Sequence, residues 1–108
     1  MLKVVNNNIY LTRGDSAEIE LSIMQDGKQY TLEDGDIVEF TVKKNVYSDI
    51  LIKKQLLNNI LKLIPEDTNF MCFGNYLYDI QITTTKKDVY TIIGPCQFVI
   101  EKEVNSYG

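Results

Sequence analysis

Apolar and polar residues alternate along most of this chain in short segments separated by turn-forming residues. The alternation is clearest in residues 17–24, 37–44 and 75–84, where almost every second side chain is apolar or aromatic. A period of two is typical of a β-strand that buries one face and exposes the other to water. Weaker segments of the same kind cover residues 9–12, 29–32, 50–57, 60–64, and 89–93 followed by 96–104. The pattern predicts about seven to eight strands.

Glycine, proline and asparagine mark the predicted turns. Asp26-Gly27 predicts a tight hairpin, and Asn58-Asn59 a second one, because both turns require residues that tolerate positive φ. Gly94-Pro95 predicts a bend or bulge, since proline cannot donate a hydrogen bond within a central ladder. Pro65 and the acidic residues after it favour one short helical turn over residues 65–71. The tail, residues 105–108, is expected to fray.

Strands at this spacing favour an all-β fold, an immunoglobulin-like antiparallel sandwich formed by residues 1–108 as a single domain. Gly74 and Tyr76 follow the helical turn and begin the strand at 75–84. This arrangement resembles a tyrosine corner, in which the tyrosine hydroxyl binds a backbone group upstream. The alternative is that Tyr76 and Tyr78 are ordinary core aromatics. The cysteine pair and tryptophan of antibody domains are absent.

The amino-acid composition indicates a folded domain and argues against some kinds of binding partner. Apolar residues make up 44% of the chain, which is enough for a hydrophobic core, and the net charge of −4 argues against nucleic acid as the main partner. No apolar segment is long enough for a signal peptide or a membrane span, so synthesis in a cytoplasm is expected. Cys72 and Cys96 are expected to be free and buried in that reducing environment, with a disulfide between them as the alternative.

The sequence offers little to catalysis. Histidine is absent, and neither a glycine-rich phosphate loop nor cysteines at metal-site spacing occur. We therefore expect no enzymatic activity and no cofactor. Glu33, Asp34 and Asp36 could supply oxygen ligands to calcium, but without the full loop pattern a solvated acidic turn is favoured. Residues 13–15 spell Arg-Gly-Asp, for which a turn with Arg13 facing solvent is a sufficient explanation.

Two residue classes remain as candidate surfaces. Three lysine pairs, at 43–44, 53–54 and 86–87, lie in or beside predicted strands, where neighbouring side chains point to opposite faces and form no basic patch. Tyrosine is enriched at interfaces because it combines a large area with a polar tip, although it is also common in strands. Tyr30, Tyr47 and Tyr90 occupy strand ends or hairpins and are the predicted interface or ligand-binding residues.

Four stretches of the chain carry a resemblance to a known family. They are NNNIYLTRGDSAEIELSI, YTLEDGDIVEFTVKK, LKLIPEDTNFMCFGNYLYDIQIT and DVYTIIGPCQFVIEKEV, within residues 6–104. They resemble small β-sandwich proteins encoded among tail genes of phages and prophages of Gram-positive bacteria, and are similar to the N-terminal domain of the baseplate upper protein family. The resemblance implies attachment of receptor-binding apparatus to the tail and supplies no catalytic residues. Longer members continue into a helical or receptor-facing region, whereas this sequence ends at Gly108, as a stand-alone structural protein or a fragment.

The expected function is therefore that of a non-enzymatic assembly module in a phage tail or baseplate. We expect it to reside in the virion, to bind other tail proteins and to form homo-oligomers, without contact to nucleic acid or membrane. The alternative is a module that binds host cell-wall polysaccharide, with Tyr30, Tyr47 or Tyr90 as stacking platforms.

Overall fold

In a computed structural model that describes residues 2–5 and 7–102, the chain forms ten β-strands and one short helix. The strands are β1 (Leu2–Val5), β2 (Asn8–Thr12), β3 (Ala17–Glu20), β4 (Met24–Gln25), β5 (Lys28–Gln29), β6 (Ile37–Lys43), β7 (Ile50–Gln55), β8 (Ile60–Leu63), β9 (Gly74–Thr83) and β10 (Val89–Glu101). The helix, α1, covers Pro65–Thr68. The all-β, sandwich-like fold predicted from the alternation is confirmed.

Six strands form the main sheet, in the order β1-β2-β10-β9-β6-β7. Its neighbours are antiparallel except for β2 and β10, which run parallel with Phe98 opposite Ile9. The alternation alone predicts a wholly antiparallel sandwich, so this pair is a departure from it. A parallel pair needs a long connection, and here nearly the whole chain lies between the two strands.

A second layer covers one face of the main sheet. It contains the antiparallel pairs β3–β8 and β4–β5. The buried side chains of both layers form one hydrophobic cluster, in which Phe40, Leu63 and Phe98 are fully buried. Phe40 packs against Tyr78 and Phe98, with ring centroids 5.4 Å and 5.7 Å apart. The inward positions of the predicted strands therefore meet in a single core.

The predicted tight turns are confirmed by their backbone angles. Asp26 and Gly27 have φ of 53° and 77°, and Asn58 and Asn59 have φ of 52° and 61°. Two positive φ values in succession match the right-handed twist of the flanking strands. The hairpin around Asp26 is shorter than predicted, because β5 ends at Gln29.

Three boundaries differ from the predicted ones. The segment at 17–24 stops being a strand after Glu20, although Leu21 and Ile23 remain buried as the alternation requires. The helix ends at Thr68 rather than at residue 71. Segments 89–93 and 96–104 join into β10. Its pairing with β9 shifts register twice, between Thr91 and Ile93 and between Ile93 and Cys96, the second around a cis Gly94–Pro95 bond. The predicted extension to residue 104 and the frayed tail lie outside the described residues.

Strand β1 has no counterpart among the predicted strands, since four residues with one lysine carry too little alternation to reveal it. It extends the main sheet beyond β2. Its partner β2 begins at Asn8, and this start determines how far along β10 the parallel pairing can run.

Tyr76 makes the hydrogen bond that defines a tyrosine corner. Its hydroxyl donates to the carbonyl of Cys72, four residues upstream, at 2.8 Å. Gly74 begins β9 with φ of 137°, a conformation that side chains disfavour, and so allows the chain to enter the strand at this angle. Burial raises the pKa of Tyr76, which keeps its hydroxyl protonated as a donor.

We expect Tyr76→Phe to lower the free energy of unfolding by about 1 kcal/mol, because it removes this hydrogen bond and leaves the ring in place. Urea denaturation followed by circular dichroism measures the change. Tyr90→Phe is the matched control, since Tyr90 is exposed and should change stability by less than about 0.5 kcal/mol. Equal stabilities of the two variants would show that the corner hydrogen bond contributes nothing.

Candidate functional site: a cleft beside the unpaired edge of β10

A cleft of about 760 Å³ opens between the β4–β5 hairpin and the turn that joins β9 to β10. This volume is within the range of sites that bind small molecules or short peptide segments. Its lining residues are Asn7, Ser22, Ile23, Met24, Tyr30, Glu33, Ile82, Thr84, Thr85, Lys86, Asp88, Tyr90, Thr91, Ile92 and Ile93. Polar and apolar groups both face the space.

One border of the cleft is a strand edge. Strand β10 pairs with β2 only from Phe98 onward, whereas its first half, from Val89 to Ile93, pairs with β9 on one side alone. In the described part of the chain, no backbone group bonds to the other side of this half. An edge of this kind presents N–H and C=O groups that another strand can bind.

Asn7 lies directly before the strand that pairs with the second half of β10. It has φ of 67° and precedes β2, whose pairing with β10 begins at Ile9 opposite Phe98. The hydroxyl of Tyr78 donates to the carbonyl of Asn7, and burial raises the pKa of Tyr78 to about 12. Asn7 is thus tied to a core residue, and it also lines the cleft beside the unpaired half of β10.

Two of the three predicted tyrosines lie in this cleft. Tyr90 is on the unpaired half of β10 with 58% of its surface exposed. Tyr30 is half-buried on the opposite side, against the core. Tyr47 is 95% exposed but lies in the β6–β7 loop, after the end of β6 that pairs with Leu77. The other end of β6 pairs with Thr83 beside the cleft, so roughly 20 Å of strand separates Tyr47 from it.

Asp36 connects the two sides of the cleft. Its carboxylate accepts hydrogen bonds from the Tyr30 hydroxyl at 2.7 Å, from the Glu33 amide at 2.9 Å and from the Thr85 amide at 3.2 Å. The bonds from Tyr30 and from the Glu33 backbone lower the pKa of Asp36. The same hydrogen bond, with added burial and the nearby charges of Asp36 and Glu33, raises the pKa of Tyr30 to about 12.

This role of Asp36 could not be predicted from the sequence, because Thr85 is 49 positions away along the chain. Among the acidic residues at 33–36, it is therefore a structural acceptor rather than part of a solvated turn. Across the described residues, no group of three or more acidic or cysteine side chains is arranged to hold a metal ion.

We expect Asp36→Asn to bring the pKa of Tyr30 back toward its ordinary value of 10.0, because the main cause of the shift is removed. Two-dimensional NMR of ring-labelled tyrosine across alkaline pH measures this titration. Tyr78 should keep its raised pKa and serves as the internal control, since burial causes its shift. An unchanged Tyr30 titration in the variant would contradict the hydrogen bond.

Asp36 should contribute to stability at neutral pH and lose this contribution at acid pH. The lowered pKa of Asp36 means that its contribution is present above the ordinary aspartate pKa, about 4, and is lost as the pH falls through the folded-state value. The variant Asp36→Asn should therefore lose less stability than the natural protein between neutral and acid pH, as measured by urea midpoints.

Three ionised side chains line the cleft: Glu33, Lys86 and Asp88. None of them forms an ion pair with another described residue. Asp36 adds a carboxylate behind Tyr30, and the exposed Lys87 adds a cation beside Lys86. Carboxylates therefore exceed ammonium groups by one around the unpaired edge.

The Arg-Gly-Asp sequence is a structural turn. Gly14 has φ of 82° and its amide donates to the buried hydroxyl of Thr68 at 2.8 Å. The expectation that Arg13 faces solvent is wrong: Arg13 is half-buried, with its guanidinium 4.4 Å from the centre of the Phe73 ring. Stacking on an aromatic face accounts for its position.

Contacts within the fold hold three of the paired lysines. The Lys53 ammonium lies 3.9 Å from the Glu39 carboxylate, whereas the ammonium of its neighbour Lys54 lies 2.6 Å from the carboxylate of Asp67 in α1. Lys44 donates to the carbonyl of Asn75, and its ammonium lies 4.6 Å from the Tyr76 ring centre. The pair at 86–87 is different, since both lysines are exposed in the turn between β9 and β10 rather than on opposite faces of a strand.

Both cysteines are free thiols. The expectation that they are buried is wrong, because Cys72 is exposed and Cys96 is half-buried. Cys72 lies in the irregular segment before the tyrosine corner, where its carbonyl rather than its sulfur is used.

Comparisons with protein-family models, with curated proteins and with solved structures find no match to this chain. Within the described residues, no helix is long and apolar enough to cross a membrane.

Proposed function

We propose that this protein is a non-enzymatic assembly module of a phage tail or baseplate, which docks to other subunits through the cleft beside β10. The observation that carries the proposal is the unpaired edge from Val89 to Ile93 alongside Tyr30 and Tyr90. An edge strand left open beside a cleft is a ready site for another chain, and natural proteins usually cover or charge such edges.

The side chains of the cleft support a protein partner. Tyr90 and Met24 are 58% and 61% exposed, and both lie at its border. Aromatic residues and methionine are enriched in protein interfaces. Tyrosine in particular supplies contact area with little loss of conformational freedom. Repetition of one weak contact around a symmetric particle would raise the overall affinity, which is consistent with a homo-oligomeric assembly.

The phage-tail setting is proposed from the resemblance of the four sequence stretches to tail and baseplate proteins of Gram-positive phages. Those stretches include the YTLEDGD segment, which supplies Tyr30 and Asp36, and DVYTIIG, which supplies the unpaired half of β10. The proposed docking site is thus formed by parts of the chain that carry the resemblance.

Peptide mass spectrometry on purified phage or induced prophage particles tests this role. A strain that carries the sequence should yield particles containing the chain at a copy number that is a multiple of three or six, as tail symmetry requires. Tyr90→Ala should reduce incorporation severalfold, whereas Tyr47→Ala, the same change at the far end of β6, should not. Detection of the chain only in the soluble lysate would overturn the particle role.

A polysaccharide ligand is the second candidate. The cleft combines an exposed tyrosine ring with the carboxylates of Glu33 and Asp88 and the hydroxyls of Thr84 and Thr91, groups that can stack on a sugar and bind its hydroxyls. Isothermal titration with host cell-wall polysaccharide distinguishes the candidates. Saturable heat that disappears in Tyr90→Ala supports the polysaccharide, and the absence of heat supports an assembly module.

A further inference from the structure

We propose that the partner of this cleft supplies an extended segment, which adds to β10 as a further strand and carries at least one lysine or arginine among apolar residues. This inference rests on the proposed docking function and specifies the chemistry of the partner. It identifies the backbone of residues 89–93 as the recognition surface.

The lining of the cleft follows the first half of β10. Tyr90, Thr91, Ile92 and Ile93 are consecutive, and all four line the cleft. The register with β9 shifts between Thr91 and Ile93, so an irregularity at Ile92 interrupts the alternation of side chains in this run. The backbone N–H and C=O groups on the outer side of this half form no bond to a described strand, and they are the groups that an added strand would bind.

The size of the open edge sets the length of the segment. From Val89 to Ile93 the edge spans about 17 Å at the usual rise per residue of a strand. Beyond it, Gly94-Pro95 interrupts the register, and from Phe98 onward the edge is paired with β2. A partner strand of about five residues therefore fills the unpaired edge.

The walls of the cleft determine the side chains of the segment. Met24 is 61% exposed, and Ile92 and Ile93 are half-buried against the core, so apolar partner residues would complete their burial. Apolar area removed from water is favourable by about 25 cal/mol per Å². Alternate positions of the incoming strand are thus expected to be apolar.

Charge complementarity favours a basic residue in the segment. Glu33 and Asp88 line the cleft without an ion pair among the described residues, against one lysine of the lining, Lys86. Behind the lining, Asp36 and the exposed Lys87 balance each other, so the surroundings carry one more carboxylate than ammonium groups. Glu33 lies close enough to Tyr30 to help raise the pKa of its hydroxyl. A strand carrying lysine or arginine would neutralise this excess, whereas an acidic strand would be repelled.

Selection from a displayed library of peptides of about ten random residues, the upper length of a typical strand, tests the proposal on the unsubstituted chain. Enriched peptides should alternate apolar residues with at least one lysine or arginine. Amide hydrogen exchange by NMR should slow within residues 89–93 when the best synthetic peptide binds. Methylation of its strand-pairing amides should weaken binding by about tenfold or more, because each methyl group removes a backbone donor.

A variant with two reversed charges tests the contribution of charge to peptide binding. Glu33→Lys combined with Asp88→Lys should weaken the selected peptide by about tenfold or more, because attraction becomes repulsion. Asp49→Lys is the matched control, since Asp49 is exposed in the β6–β7 loop away from the cleft, and it should leave the affinity within about twofold. Circular dichroism verifies that all variants are folded.

Three results would overturn the proposal: no enrichment, enrichment of acidic peptides, or binding that survives both amide methylation and charge reversal. These results are distinguishable from failure of the docking function. Suppose that the chain is found in particles at fixed stoichiometry and that its incorporation depends on Tyr90, but that no peptide meets these criteria. The docking function is then supported and strand addition is wrong. If a basic peptide binds but the chain is absent from particles, the site stands and the phage-tail setting fails.

Discussion

Replacement of Phe40 by alanine should lower the free energy of unfolding by about 3–5 kcal/mol. Phe40 is fully buried on β6 and contacts the rings of both Tyr78 and Phe98. Its removal leaves a cavity between three strands of the main sheet, which cannot collapse without breaking the ladder. Since small domains are stable by only about 5–15 kcal/mol, the variant should be partly unfolded at moderate temperature.

The matched control is Phe70→Ala, the same chemical change at a site that is 61% exposed. It should alter stability by less than about 0.5 kcal/mol, because little packing is lost. Urea denaturation of both variants, monitored by circular dichroism, gives the two values. Comparable losses from Phe40 and Phe70 would mean that the core does not centre on the face of β6 that holds Phe40.

Gly94→Ala should cost about 2–6 kcal/mol, from steric overlap and backbone strain together. Gly94 has φ of 115°, which side chains rarely adopt, and a Cβ atom there would lie 2.7 Å from the Cβ of Asp79 and 2.8 Å from the carbonyl oxygen of Tyr78. Both neighbours belong to β9, so neither can move without disturbing the centre of the sheet.

Gly27→Ala is the control for positive φ alone. Gly27 has φ of 77°, and a Cβ atom there would meet nothing within 4 Å, so we expect a loss of about 1 kcal/mol. Thermal denaturation of the two variants separates strain from overlap. A loss at Gly94 no larger than the loss at Gly27 would show that β10 can shift away from β9.

Gly94 also affects the candidate site. Gly94 and Pro95 lie between the half of β10 that pairs with β2 and the half whose outer edge is open. On both sides of this bulge β10 pairs with β9, whereas β2 pairs only with the second half of β10. A substitution that alters it should therefore disturb the unpaired edge as well as stability, and peptide binding to Gly94→Ala reports this.

Part of the candidate site could be anticipated from local chemistry. Tyr30, Tyr47 and Tyr90 were distinguished by their places at strand ends and hairpins, and Tyr47 and Tyr90 are indeed exposed. Local position did not reveal that Tyr30 and Tyr90 share one cleft, nor that Tyr47 lies at the other end of β6. Such grouping depends on which strands pair, and alternation carries no information on pairing partners.

The sequence by itself determined the all-β class, the inward residues of the clearly alternating strands and the two tight turns, because these depend on a period of two and on residues that tolerate positive φ. Only the tertiary structure decided that β2 pairs in parallel with the second half of β10, that Asp36 binds Thr85, and that Val89–Ile93 keeps an open edge. The physical reason is the distance along the sequence between the residues that interact. Alternation and turns arise from neighbouring residues, whereas an open edge arises from where distant strands end relative to one another.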